Sequence, residues 1–308
     1  MTCCRYPGKE GILNINKPQG KTSFSVVAFV KRLTGEKRVG HAGTLDPMAT
    51  GVLPVCIGQA TRLVEYLMNT TKTYRAEIEL GITTDTFDSE GKVTKKADAS
   101  GITRKQLETA ISTFHGEITQ IPPAYSAVKY HGKPSYKLAR AGITIVPNKR
   151  LVRIDRIELI DWSVPVITIE IDCGKGTYIR SLANDLGQML GCGAYLKSLV
   201  RLRYGIFGIA ESITLDELEK ACKVGYWEQL LHPMDSILAE LQAVVVGQEG
   251  ERAICNGIAV PLDGCSSDGL CRAYNQCGNL LAVMKFDREK GLWQPEKVFG
   301  VLDTVNPM

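Results

Sequence analysis

Long apolar runs are missing from this 308-residue chain, and no stretch of about 18 or more hydrophobic residues could span a bilayer. The opening residues, MTCCRYPGKEGILNINKPQG, carry a charge or a turn former every few positions and lack the apolar core of a secretory signal. A cytoplasmic protein without membrane contact is expected. Histidine is scarce, at four, and none of the ten cysteines stands in a C-x-x-C pair. Cys3 and Cys4 are adjacent, Cys56 and Cys173 lie in apolar strand-like runs, and the late group Cys255, Cys265, Cys271 and Cys277 has only His232 near it. Reduced, mostly buried thiols are expected, and no metal. A nucleotide-binding loop is also missing. CGKGTY, from Cys173 to Tyr178, has the glycines, but G-x-x-x-x-G-K-[ST] does not occur and the turn is too short to wrap a triphosphate.

Acids are nearly absent between residues 129 and 156. Eight basic side chains, Lys129, Lys133, Lys137, Arg140, Lys149, Arg150, Arg153 and Arg156, face the single Asp155, interleaved with Tyr130, His131 and Tyr136. So one-sided a run points to a polyanion partner. From residue 240 onward six basic residues meet nine acidic ones, so that part is at −3; with +4 overall, the rest carries +7. The basic surface belongs to the larger N-terminal part.

Periodicity places elements of both kinds. SFSVVAFVKRLTG predicts a helix capped at Ser23, with Val26, Val30 and Leu33 on one face and Gly35 as its stop. KTYRAEIELG alternates strictly, with Tyr74, Ala76, Ile78 and Leu80 on one face of a strand. TRKQLETAISTFHG offers a capping box between Thr103 and Gln106. VITIEIDCGKGTYIRSLANDLGQMLG reads as a strand burying Ile167, Ile169, Ile171 and Cys173, a glycine turn, and a helix from near Thr177. Without a regular βαβ repeat, the fold class is α+β.

Two charged residues stand out. In GHAGTLDPMATGVLPVCIGQATRL, from Gly40 to Leu63, Asp46 precedes Pro47, whose ring disfavours a helical backbone before it and fixes its own φ. The main chain therefore sets where this carboxylate points. Arg180 falls in the first turn of a predicted helix, where the macrodipole disfavours a cation. A negative group should compensate it: Asp185 or another acid as a structural salt bridge, or a catalytic carboxylate or substrate phosphate.

Six blocks in order resemble a known family: LNINKPQGKTS, the segment around Asp46, KTYRAEIELGITTDTFDSEG, QIPPAYSAVKYHGKPSYKLARAG, GKGTYIRSLANDLG and YLKSLVRLRYGIF. They are similar to the B-type tRNA pseudouridine synthases, which isomerise uridine 55 in the T loop. The resemblance implies the pseudouridine synthase fold, a central mixed and mostly antiparallel sheet flanked by helices, over residues 1–239. It implies a small β-rich PUA-like domain over 240–308. Asp46 matches the catalytic nucleophile, which could attack C1′, add to C6 of the uracil or support elimination to a glycal; Arg180 matches its arginine partner, and Tyr74 the tyrosine that stacks on the target base and is a candidate base in the glycal route. On the substrate side, His41 matches the histidine that takes the place of the flipped-out base, and Tyr178 and Leu199 line the uracil pocket. Lys17, in the KP motif with Pro18, supports the catalytic loop, and Lys129 belongs to the basic stretch that grips the T stem and loop. The resemblance implies tRNA as partner, no cofactor, and no obligatory protein partner, the chain acting as a monomer. One departure is Val200 before Arg201, where many relatives carry a basic pair; with Arg201 and Arg203 present it is expected to be tolerated.

Overall fold

The structure, a computed structural model, describes residues 9–123, 125, 129–130, 133–134, 148–262, 264–266 and 269–299. The chain runs through β1 (Gly11–Lys17), α1 (Ser23–Thr34), β2 (Val39–His41), β3 (Thr50–Ile57), α2 (Val64–Met68), β4 (Lys72–Leu80), the short pair β5 (Ile82–Thr84) and β6 (Val93–Lys96), and α3 (Arg104–Ser112). Then come β7 (Gly116–Gln120), β8 (Lys129–Tyr130), β9 (Lys133–Pro134), β10 (Arg150–Ser163), β11 (Val166–Cys173), α4 (Ile179–Met189), β12 (Ala194–Tyr204), β13 (Phe207–Gly208) and α5 (Leu215–Val224). A second group comprises β14 (Gln242–Val245), α6 (Gln248–Cys255), β15 (Leu270–Tyr274), β16 (Leu280–Asp287) and β17 (Leu292–Val298).

The large sheet has the order β1-β3-β12-β4-β11-β10-β7. Its neighbours run antiparallel except β3 and β12, which are parallel, so the sheet is mixed within an α+β fold. Alternation in β4 and β11 turns Ala76, Ile78, Leu80, Ile167, Ile169, Ile171 and Cys173 inward. They pack against Leu107 and Ile111 of α3 and Leu182, Ala183 and Leu186 of α4. The opposite face of these strands is charged. There Arg156 meets Glu158, Glu170 and Asp172, and Arg75 meets Glu170. Arg153 pairs with Asp155. These two arginines of the basic stretch are thus engaged within the protein, and an RNA phosphate would have to compete for them. Lys137, Arg140, His131 and Tyr136 lie outside the described residues.

Register places the central residues. Tyr74 lies opposite Ile171 on β11 and Arg201 on β12, and Arg201 is also opposite Gly51 on β3. Gly51 has φ +99, and a Cβ there would stand 2.3 Å from the Arg201 carbonyl oxygen. We expect Gly51→Ala to cost roughly 2–5 kcal/mol, from overpacking plus the left-handed backbone, read as a lowered urea midpoint.

Local chemistry shifts two helix starts from those expected. Thr22, not Ser23, caps α1: its Oγ1 accepts the Ser25 N–H, and Ser23 turns inward to the loop around Leu45. Helix α4 starts at Ile179 because Tyr178 is extended, at φ −106 and ψ 108. Its backbone is held by the buried Gln120, whose Nε2 donates to the Tyr178 carbonyl at 2.9 Å and whose Oε1 accepts the Tyr178 N–H at 2.7 Å. Gln120→Leu removes both bonds and is expected to lower stability by about 2 kcal/mol in denaturant melts.

The smaller sheet, β14-β15-β16-β17, packs on the larger body. Leu280, Val283 and Phe299 share a cluster with Ile12, Leu63, Tyr204 and Phe207. Cys56, Cys173, Cys192 and Cys271 are buried free thiols, whereas Cys277 is in a disulfide where a thiol was expected. Such a pairing depends on tertiary proximity, which spacing does not reveal. Among the described residues no helix is long and apolar enough to cross a membrane, and no group of three or more His, Cys, Asp or Glu could hold a metal ion.

Candidate active site

Asp46 sits in the loop between β2 and β3, pinned on either side. The Leu45 N–H donates to Ser23 Oγ at 2.8 Å, and that hydroxyl donates back to the Leu45 carbonyl at 3.1 Å. The Gly20 N–H donates to the Pro47 carbonyl at 2.8 Å. Lys17, fully buried, sends its ammonium to the carbonyls of Pro18, Lys21 and Pro47 at 2.9, 2.6 and 3.3 Å. Burial pulls its pKa down to about 8, so the ammonium still prevails at neutral pH and matches three acceptors with three donors. Lys17, grouped with the substrate-side residues as part of the KP motif expected to support the catalytic loop, has no surface left for substrate. Its work is on the loop, through Pro47 next to Asp46. Lys17→Met orphans these acceptors at about 1–3 kcal/mol each. The variant should unfold at markedly lower urea and lose activity in its remaining folded fraction.

Arg180 resolves the question raised by its place at a helix N-terminus. It is 5% exposed, its Nη2 donates to Asp46 Oδ1 at 3.1 Å, and its Nε lies 3.0 Å from Oδ2. Nη1 donates to Asp88 Oδ2 at 3.1 Å, and Nη2 also meets the Tyr125 carbonyl at 3.1 Å. Two carboxylates thus share one guanidinium, and Asp185 is not among its partners. Asp88, 3% exposed, is aimed by the turn before it. Phe87 there has φ 64, the one positive value among the described non-glycine residues, and its carbonyl accepts the Leu196 N–H at 3.0 Å. Asp88 also accepts from Thr86 Oγ1 and the Glu90 N–H.

Burial raises the Asp46 pKa above its ordinary 3.8 and Asp88 adds repulsion, while Arg180 and Lys17 oppose the rise. A reaction that needs the ionised carboxylate will therefore fail as pH falls through a value above the ordinary carboxylate range. The acid limb of a kcat/KM profile should lie there, and a limb at or below 3.8 would contradict the assignment.

Asp46 lies at a cleft of about 740 Å³ lined by Tyr74, Asp88, Tyr178, Arg180, Leu199 and Arg201. Five residues expected from the sequence, Asp46, Tyr74, Tyr178, Arg180 and Leu199, are brought together here from four separate segments. Arg201 was expected only as one of a basic group on β12. It is instead 1% exposed, with Nε donating to the Val52 carbonyl at 2.6 Å and Nη2 to the Gly43 carbonyl at 3.3 Å. Its guanidinium lies 4.7 Å from the Tyr204 ring centre and 3.5 Å, through Nη1, from the Tyr74 hydroxyl. Lys72 stacks on Tyr204 at 4.7 Å, so this ring carries two cations. His41, on β2, is half-buried and not among the residues lining the cleft; its Nδ1 is buried without a partner. Burial and Arg201 hold its pKa below 6.5, which keeps it neutral at neutral pH. Lys129 lies on β8, and its side chain is outside what is described.

This constellation can hold an ionised carboxylate at the open side of a walled, aromatic-lined cleft. Residues 31–179 match the TruB family pseudouridylate synthase N-terminal domain, and residues 180–239 match the tRNA pseudouridylate synthase B C-terminal domain. The chain belongs to the TruB family of pseudouridylate synthases. The tRNA pseudouridine synthase B of Dehalococcoides mccartyi is 47% identical over 290 residues, covering 94% of this chain and 96% of that protein. That of Clostridium tetani is 41% identical over 270 residues, covering 86% and 92%. A chain of a solved Cbf5–Nop10–Gar1 complex superposes with a TM-score of 0.74 at 28% identity, covering 96% of this chain and 86% of that one. In this TruB-family chain the two matches meet between Ile179 and Arg180, so the Asp46–Arg180 pair joins them.

Asp88, Arg201, Lys72 and Gln120 carry no assignment from the sequence. Asp88 could have been suspected, since TTDTFDSEG sets three acids beside turn formers. Arg201 could not, because its strand alternates like any half-exposed strand.

Proposed function

We propose that this enzyme converts uridine 55 in the T loop of tRNA to pseudouridine, with Asp46 as nucleophile. The observation that carries this reading is the Asp46 carboxylate itself, pinned through its neighbours and paired with a buried arginine at the mouth of a cleft. A base stacked in an RNA loop cannot meet a carboxylate at its glycosidic carbon, so the uridine must leave the stack. In the cleft, Tyr74, Tyr178 and Leu199 offer the uracil a ring and apolar walls. Neutral His41, on the strand that leads into the Asp46 loop, is the candidate to take the vacated place in the RNA loop. As the C1′–N1 bond breaks, the Asp46 carboxylate bonds to C1′. The uracil then turns and C5 attacks C1′, releasing the carboxylate. The proton on C5 departs to solvent, and N1, which kept the electron pair of the broken bond, takes one up, so the product is a neutral isomer and the carboxylate is regenerated.

Tyr74 is the candidate base at the sugar in the glycal route. Burial pushes its phenol above the ordinary 10, more than Arg201 lowers it. The hydroxyl therefore stays protonated near neutral pH and is better suited to donate a hydrogen bond than to take a proton.

The remainder of the reading is a monomer in the cytoplasm without cofactor or obligatory protein partner, acting on the T stem and loop. Residues 1–239 form its catalytic domain and residues 240–308 a PUA-like domain. The test is release of tritium from a tRNA transcript labelled at uracil C5, with purified chain and no added metal or protein. Stoichiometric release and a pseudouridine at position 55 would support it. Release only after partner proteins are added would overturn the standalone reading.

A further inference from the structure

Helix α1 has one face that the fold does not use. Val26, Val27 and Val30 enter the core with Leu13, Ile15 and Val55. On the other side Phe24, Ala28, Lys31 and Arg32 are exposed, and their spacing of four, seven and eight residues puts them on one stripe. Lys21 lies just before it, also exposed, and the helix contains no acid. Phe24 is 77% exposed, the largest value among the described large apolar side chains. An isolated exposed Phe would need no explanation, but this one is tied to the catalytic loop. Its predecessor Ser23 makes both hydrogen bonds to Leu45, and Thr22 lines the cleft. The backbone that carries the ring is therefore held two residues from the cleft-lining Thr22 and hydrogen-bonded, through Ser23, to the loop that carries Asp46. At the other end of the stripe the Arg32 guanidinium rests 5.0 Å from the Phe29 ring centre, which restricts its rotamers.

We propose that this stripe is a docking surface for the RNA strand that leaves the cleft: an unpaired nucleotide next to the target uridine stacks on Phe24, and phosphates beyond it bind Lys31 and Arg32. The proposal rests on the RNA-modifying function above. Extruding a uridine exposes the face of its neighbour, and an exposed aromatic ring close to the catalytic loop can replace the lost stacking. The cations lie ~11 Å further along the helix axis, where the backbone of that strand would pass. The stripe suits RNA better than a protein surface, because around Phe24 it offers Ser25, Ala28 and cations rather than a contiguous apolar patch.

The test uses the full chain as Phe24→Ala, Phe24→Trp and the double variant Lys31→Ala/Arg32→Ala. It measures equilibrium binding of a tRNA transcript across a salt series together with tritium release. Phe24 is exposed, so its replacement should leave folding intact. Phe24→Ala is expected to weaken binding by about 5- to 100-fold with an unchanged salt slope, and Phe24→Trp to keep the wild-type affinity. The double variant should flatten the slope of log K against log salt by about 1–2. In each weakened variant the loss in kcat/KM should lie mainly in KM. Wild-type affinity of Phe24→Ala, equal weakening by Ala and Trp, or an unchanged slope in the double variant would each overturn the proposal. If wild-type chain binds tRNA but releases no tritium, the isomerase reading fails, and the binding series still decides the docking surface.

Discussion

Asp46→Asn is expected to reduce tritium release by about ten-thousand-fold or more while leaving tRNA affinity within a few-fold of wild type. The amide is nearly the same shape and can still accept from Arg180 through its oxygen. What it lacks is the electron pair that would bond to C1′ and leave again. Burial and Asp88 both disfavour the charge on Asp46, so its folded pKa lies above the unfolded one. A carboxylate raised in this way costs stability wherever it is ionised, and that cost disappears as pH falls. Asp46→Asn should therefore unfold at the same temperature as wild type or a higher one near neutral pH. An inactive variant of equal or greater stability would separate the chemistry from the fold. Residual activity above a hundredth of wild type would remove Asp46 from the role of nucleophile.

Arg180→Met should be worse in both respects. Asp88 is 3% exposed, and without the guanidinium its charge would keep only the Thr86 hydroxyl and the Glu90 N–H. Breaking a buried ion pair on one side costs ~3–5 kcal/mol, so this variant should lose much of its stability as well as its activity. Arg180→Met combined with Asp88→Leu removes both buried charges and should recover stability in urea melts without recovering tritium release. Recovery of activity by the double variant would mean that Arg180 serves only to neutralise Asp88. Arg180→Lys retains the charge but cannot span two carboxylates with one planar fork, and it should stay far below wild type.

Some elements are legible in the chain because their causes are local. The strict alternation of KTYRAEIELG needs only a sheet with one buried face, and β4 has it, with Ala76, Ile78 and Leu80 inside. Thr103 and Gln106 form the capping box expected of them, since both partners lie within one helical turn. The cap of α1 lies one residue from the expected position, since Thr22 and Ser23 are both good caps and only the contact with Leu45 distinguishes them. Arg180 is legible as a problem, a cation at the positive end of a helix, but its solution is not. Of the acids considered, Asp185 is near in sequence, whereas the partners found, Asp46 and Asp88, are 134 and 92 residues away.

The sequence by itself determined the alternating strands, the amphipathic helices, the stiffness of the Asp-Pro loop and, through six ordered blocks, membership of a family. These follow from backbone geometry and side-chain period, which act over a few residues. Only the tertiary structure decided which charges meet. Arg201 and Arg203 are two residues apart on one strand, yet Arg201 is sealed beneath Tyr74 and Tyr204 while Arg203 reaches Asp172 on the outer face. Two β-irregularities in the pairing of β12 with β4, one between Arg201 and Arg203 themselves, break the simple alternation that would have placed both on one side. Burial and pairing of charge depend on what packs above a strand, and that is set by residues far away in the chain.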